Sequence, residues 1–160
     1  MKTDELEYLL SSLIPKLYSF AFAMMQEESM AEQIIIDAYS VLVVKDREFI
    51  ENYKYEDTKK EKVSFKRYLF INLLREIFEM SLKRKTHSKY LIKRNFKEYN
   101  SFYSLDNQQK AVLFLKENFE FSIEMIQETL QLEKHQVVEN LYNSRQKLLD
   151  TDVSLSVGEL

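Results

Sequence analysis

Apolar positions in the first part of the chain recur at helical spacing. Leu6, Leu9, Leu10, Leu13, Ile14, Leu17 and Phe20 fall mostly three and four apart, which predicts a helix over 4–25 with one apolar stripe. The stretch SMAEQIIIDAYSVLVV predicts a second helix, with Ser29 as its N-cap. The pattern breaks across KDREFIENYKYEDTKKEK (45–62), a charged segment dotted with aromatics that reads as partly loop. It resumes in SFKRYLFINLLREIFEMSLKRK (64–85), capped by Ser64 and ending in cations that suit the negative end of a helix dipole. Residues 87–104 lose the rhythm and read as a linker. Beyond them Ile126 and Leu130 share one helix face, and Val137, Leu141, Ser144 and Leu148 share another. Gln131-Leu132-Glu133 separate these two helices at the length a helix-turn-helix uses. The expected fold is all-α: two small helical domains, 1–86 and 105–150, the second containing a helix-turn-helix, joined by the linker 87–104 and followed by a tail, 151–160.

Composition strengthens the helical reading. The 160 residues include one glycine and one proline, and sheets need such residues at their turns. The absence of cysteine excludes disulfides, thiolate nucleophiles and thiolate-bound zinc. No cationic leader with an apolar run opens the chain, and no long uncharged apolar stretch follows. The expectation is a soluble cytoplasmic protein without membrane insertion.

Charge changes the picture more. Residues 1–58 carry 5 Lys/Arg against 12 Asp/Glu, net −7. Residues 59–97 carry 13 against 3, net +10, and residues 98–160 carry 5 against 11, net −6. A strongly cationic block inside an acidic protein favours an anionic partner at one place, nucleic acid first. Catalysis finds little support. His87 and His135 lie far apart in sequence without metal-ligand spacing, a Gly-rich phosphate loop is impossible, and Glu27-Glu28 reads as a solvated helix approach. No enzyme activity, catalytic residue, metal or cofactor is expected.

Three segments, in order, carry a family resemblance. LDNQQKAVLFLKENFEFSIEMIQETLQLEKHQVVENLYNSRQKL (105–148) resembles, without a gap, the C-terminal helix-turn-helix domain of extracytoplasmic-function sigma factors, bacterial proteins that direct RNA polymerase to promoters. The family's Arg-x-Val-Leu is matched by Lys110-Ala-Val-Leu113, its Ser-x-x-Glu-Ile-Ala by Ser122 to Gln127, and its Leu-x-x-Ala-Arg-x-x-Leu by Leu141 to Leu148. LYSFAFAMMQEESMAEQIIIDAYSVLV (17–43) is similar to the family's polymerase-facing segment through Leu17, Tyr18, Ala31, Glu32 and Tyr39. SFKRYLF (64–70) is similar to its Phe-Arg-x-Trp-Leu helix, with Tyr68 in the Trp place.

The resemblance implies core RNA polymerase and promoter DNA as partners, with an anti-sigma protein as a further one. It sets Glu32, Gln33, Ile36 and Asp37 against polymerase. It sets Lys66, Arg67, Tyr68, Arg75, Lys83, Arg84 and Lys85 against melted promoter DNA, with Tyr53, Tyr55 or Tyr68 stacking on an extruded base. In the second domain Lys134, His135, Gln136 and Asn140 are the expected base readers, Asn and Gln suiting adenine edges.

Several family positions differ. Gln131 takes the place of the turn glycine, and Gln127 that of a small alanine, which widens the helix crossing or requires a partner for the amide. Val138 and Glu139 stand among recognition-helix positions that are often cationic, so duplex binding by this domain alone is expected to be poor. Ile36 replaces a polar contact residue and reads either as core or as an apolar contact. These departures favour a second reading, a sigma-like adaptor that binds polymerase or an anti-sigma partner without reading promoters. An unrelated helical DNA-binding regulator is a third.

Overall fold

A computed structural model describes residues 3–53, 59–84 and 100–158. Among the described residues the chain is all-α, with eight helices and no strand. These are α1 (Thr3–Met25), α2 (Glu28–Lys45), α3 (Arg47–Asn52), α4 (Lys59–Lys83), α5 (Asn100–Tyr103), α6 (Asn107–Glu117), α7 (Ile123–Leu130) and α8 (Lys134–Gly158). The chain divides into two compact units, Met1–Lys83 and Arg84–Leu160.

In the first unit α1, α2 and α4 pack against one another and α3 packs on α2. Leu9, Leu13, Leu17, Phe20, Ala21 and Met24 form the buried side of α1, while Ile14 and Pro15 face solvent. Proline in a helix interior removes a backbone donor, and on the exposed side water can satisfy the carbonyl left over. By length and composition α1 meets the minimum for a membrane span, a test that the core helices of globular units also pass. Ala31, Ile34, Ala38 and Leu42 make the inward stripe of α2. α4 is the central helix. Phe65, Leu69, Phe70, Ile71, Leu73, Leu74, Ile77 and Phe78 are all buried, which covers most of its circumference.

Helix boundaries depart from the sequence reading in five places. α2 begins at Glu28, so Ser29 lies inside its first turn, where its hydroxyl donates to Glu27 Oε1 at 2.6 Å. Ser64 is likewise inside α4, which starts at Lys59 because the run Lys59-Lys60-Glu61-Lys62 is made of good helix formers. Part of the segment read as loop is α3, held by an Arg47–Glu51 ion pair at 2.8 Å and by burial of Ile50. The backbone of α8 continues through 151–158, the stretch assigned to a tail. Most of the expected linker lies outside the described residues, but its end forms α5, which packs on α8.

In the second unit α6, α7 and α8 pack against one another. Asp106 caps α6 by accepting from the Gln109 backbone N–H at 2.8 Å, and the Gln109 side chain accepts from the Asp106 N–H in return. Lys147 of α8 donates to the same Gln109 oxygen at 3.0 Å, tying the two helices. Ser122 caps α7 by accepting from Met125 N–H at 3.1 Å. Ile126, Leu130, Val137, Leu141 and Ser144 are buried, as their spacing predicts, and Leu148 is half-buried.

With a single glycine at 158, the left-handed positions are filled by other residues. Gln26, Glu120 and Gln131 have φ of 62°, 54° and 54°. Gln131 ends α7 in this conformation, donating its N–H to Gln127 O. Each such residue costs about 1 kcal/mol relative to glycine.

Lys110 sits inside the second unit at 2% exposure, its Nζ 5.8 Å from the Tyr103 ring centroid. Burial pushes its ammonium down to about 8, against an opposing pull from Asp106. The folded value lies below the unfolded one, so the unfolded chain holds more protons between about pH 8 and 10.5. The penalty for charged Lys110 is therefore full below pH 8 and is relieved as pH rises towards 10.5. Lys110→Met keeps the apolar stem and removes the charge. It is expected to raise stability at pH 7 by up to about 3 kcal/mol, a gain that shrinks above pH 8. Urea unfolding of both proteins across pH 7 to about 10.5 checks this, and a pH-independent difference rules it out.

Candidate functional site

The outer face of α2 gathers the four residues assigned to polymerase contact. Glu32 and Gln33 are exposed, and Ile36 is 57% exposed, which settles it as surface rather than core. Asp37 is half-buried and accepts from Gln33 Nε2 at 2.9 Å, an i,i+4 link that orders both side chains. Ser40 and Val44 continue the same face by one turn each, Val44 at 78% exposure. The face is thus an apolar line, Ile36 and Val44, with carboxylates Glu32 and Asp37 on opposite sides of it.

At the far end of α2 the chain turns at Asp46 into α3, and an aromatic corner forms there. The Phe49 ring lies 4.7 Å from Tyr68, 5.6 Å from Tyr53 and 6.4 Å from Phe65, while Tyr53 lies 4.3 Å from Phe65. Tyr68 donates its hydroxyl to Asp46 Oδ2. Burial, then that hydrogen bond, holds the phenol well above its ordinary pKa. About two turns further along α4, Glu76 receives Lys45 Nζ at 2.5 Å. These two links pin the α2–α3 turn to α4. A 490 Å³ depression opens beside it, lined by Lys45, Asp46, Glu48, Phe49 and Asn52.

Tyr68 and Tyr53 are half-buried members of the corner, and Tyr55 lies outside the described residues. The ring with a free face is Phe49, 48% exposed and lining the depression. Sequence reading passed over Phe49 because it took 45–62 as partly loop, and the six residues of α3 are too few to show a helical period. Asp46, Glu48 and Asn52 line the depression with hydrogen-bond acceptors, which the charge count alone does not reveal.

Among the described residues the cations of the block lie apart along α4. Lys66 (half-buried) and Arg67 (exposed) sit near the start of α4, while Lys83 (exposed) and Arg84 (half-buried) sit at its end. The sixteen-residue step from Arg67 to Lys83 corresponds to about 24 Å of helix, and the buried middle of α4 lies between them. Arg75, half-buried midway, donates to Asn72 Oδ1 at 3.1 Å. Lys85 lies outside the described residues.

In the second unit the start of α8 exposes Lys134 and His135. Gln136 turns back, its Oε1 accepting from the Glu133 N–H at 2.8 Å, and Asn140 Nδ2 donates to Gln136 O at 2.8 Å. Both amides are half-buried and partly used by the helix itself, which leaves Lys134 and His135 as the more accessible of the four. The next turns expose Val138, Glu139 and Tyr142. Gln127, in the place of the family's small residue, is half-buried. Among the described residues no group of His, Cys, Asp and Glu is placed to hold a metal ion. No protein-family model matches the sequence, and no curated protein matches it.

Proposed function

We propose that this protein is an RNA polymerase sigma factor of the extracytoplasmic-function type, which binds core polymerase and directs it to promoters. The observation that carries the reading is the outer face of α2. The four residues that the resemblance sets against polymerase lie together there, and Ile36 has no core role to explain it.

In this reading the first unit does two things. Its α2 face grips polymerase. Its aromatic corner and the cations of α4 hold the melted strand, Phe49 stacking on a base while Lys66, Arg67 and Lys83 meet phosphates, and Arg84 and Lys85, just past the end of α4, add two more phosphate contacts. Capture of unpaired bases shifts the melting equilibrium, because only the open strand can occupy the site. The second unit is a helix-turn-helix, with α7, the left-handed Gln131 turn and α8 as its parts, and it reads the more distant promoter element through Lys134, His135, Gln136 and Asn140. No bond is made or broken.

Phe49→Leu keeps apolar bulk and removes the aromatic face, so affinity for single-stranded DNA is expected to fall about tenfold. Tyr68→Phe loses the bond to Asp46 and about 1 kcal/mol of stability, with affinity nearly unchanged. Fluorescence anisotropy with a labelled strand separates the two; the reverse ranking returns the stacking role to Tyr68.

A sigma-like adaptor is the second reading, favoured by the exposure of Val138, Glu139 and Tyr142 where a duplex reader wants cations. Association with bacterial core polymerase, measured as co-elution in size-exclusion chromatography, tests what the two readings share. A chain that fails to associate while folded excludes both.

A further inference from the structure

The outer face of α8 carries the largest group of exposed apolar side chains on any one helix of the second unit: Val138 at 45%, Tyr142 at 65% and Leu149 at 56% exposure. At 100° per residue the three fall within about 40° of one another, so they form a line along the helix. None belongs to the buried set Val137, Leu141 and Ser144, which faces α6 and α7. Apolar side chains in line on a solvated helix mark a docking face.

The charges beside the line say what covers it. Lys134 borders it on one side and Glu139 on the other; both are exposed and neither has an ion-pair partner among the described residues. Arg145 falls on the line itself, between Tyr142 and Leu149, and its guanidinium is drawn to Glu117 Oε1 at 2.6 Å, which neutralises it. Duplex DNA is a poor match, because Glu139 and three apolar side chains would face phosphates. A second α8 in parallel orientation is a good one. It sets the apolar lines together and brings Lys134 of each copy opposite Glu139 of the other, the five-residue offset by which edge charges meet in parallel helix pairs. An antiparallel pair instead lines up Glu139 and Asp150 of both copies along one seam, which repels.

We propose that α8 pairs in parallel with α8 of a second copy of this chain through Val138, Tyr142 and Leu149, with reciprocal Lys134–Glu139 bridges. The inference stands apart from the sigma reading, since it uses only the surface of the second unit. The seam from residue 134 to 150 is about 25 Å long. One helix face of that length buries less than the roughly 1,200 Å² of a stable interface, so the pair is weak, with a dissociation constant on the order of 100 μM. Pairing covers Lys134 and His135, so a paired molecule cannot present them to DNA.

Sedimentation equilibrium of the full chain, from about 10 to about 500 μM, tests this. The average mass is expected to climb from the monomer value towards twice that value. Tyr142→Glu, which places two carboxylates face to face, is expected to keep the monomer mass throughout. Glu139→Lys is expected to weaken pairing about tenfold, and adding Lys134→Glu to it is expected to restore pairing. Circular dichroism checks that each variant is folded. A wild-type chain that stays monomeric, a folded Tyr142→Glu variant that still pairs, or a charge swap that fails to restore pairing overturns the proposal. So does a monomer that gains mass only when duplex DNA is added, which assigns the face to DNA.

Discussion

Glu32→Lys combined with Asp37→Lys is expected to abolish association with core RNA polymerase, a loss of at least about 100-fold. Both carboxylates flank the apolar line of Ile36 and Val44 on the outer face of α2. A partner that fits this face supplies apolar side chains to the line and cations to its borders. Reversing two border charges converts attraction into repulsion, and like-charge juxtaposition at an interface costs several kcal/mol. Glu32 is exposed and Asp37 is half-buried, where it accepts the Gln33 hydrogen bond, so most of the change falls on the surface of the fold. Ile36→Ala should cause a smaller loss, about tenfold, from the apolar contact alone. Co-elution with polymerase, beside an unchanged circular dichroism melt, measures both. Undiminished association of the folded double variant removes α2 from the interface.

The second large effect concerns salt. Replacing Lys83, Arg84 and Lys85 with Ala is expected to weaken binding to single-stranded promoter DNA and to flatten its salt dependence. Each phosphate neutralised adds roughly −0.7 to the slope of log affinity against log salt, so three lost contacts change it by about 2 units. Because α4 separates its two cationic ends by its buried middle, this triple variant leaves Lys66 and Arg67 in place. Binding should weaken without vanishing, and the residual slope reports on the other end of the helix. Lys134→Ala with His135→Ala should barely change the slope, since the surrounding unit is acidic. An unchanged slope in the triple variant, beside a large loss in the Lys134/His135 variant, would make the second unit the main DNA contact.

The helical fold was legible because periodicity and composition agree. The stripe of α1 and the faces of α7 and α8 could be read from spacing alone, since a buried helix face must repeat at 3.6 residues. The left-handed turn at Gln131 was also foreseeable, as the place where a glycine is usual. Boundaries were harder. Ser29 and Ser64 have the side chain of an N-cap, but the chain enters α2 from a left-handed Gln26 and enters α4 from Lys59. A cap residue is only a preference, and the geometry of the preceding turn decides whether it is used. α3 was hidden because six residues are too short to display a period.

The candidate site was legible by position and less so by arrangement. Whether Ile36 is core or surface depends on how α2 is rotated against α1 and α4, which a single helix pattern does not determine. The +10 block looks like one patch in sequence, yet the apolar residues interleaved through 69–78 make its middle the core of the first unit. Tyr68 invited a stacking role by its alignment, while its bond to Asp46, twenty-two residues earlier, is a tertiary fact. Phe49 took the exposed place in the same corner.

Transcription in vitro with bacterial core polymerase, on genomic DNA fragments, is the most direct test of the sigma assignment. The expected result is RNA starting at discrete sites only when this chain is added, with the signal lost for Glu32→Lys/Asp37→Lys. Polymerase that binds the chain and yet starts no RNA at a defined site would contradict promoter reading and leave the adaptor in its place.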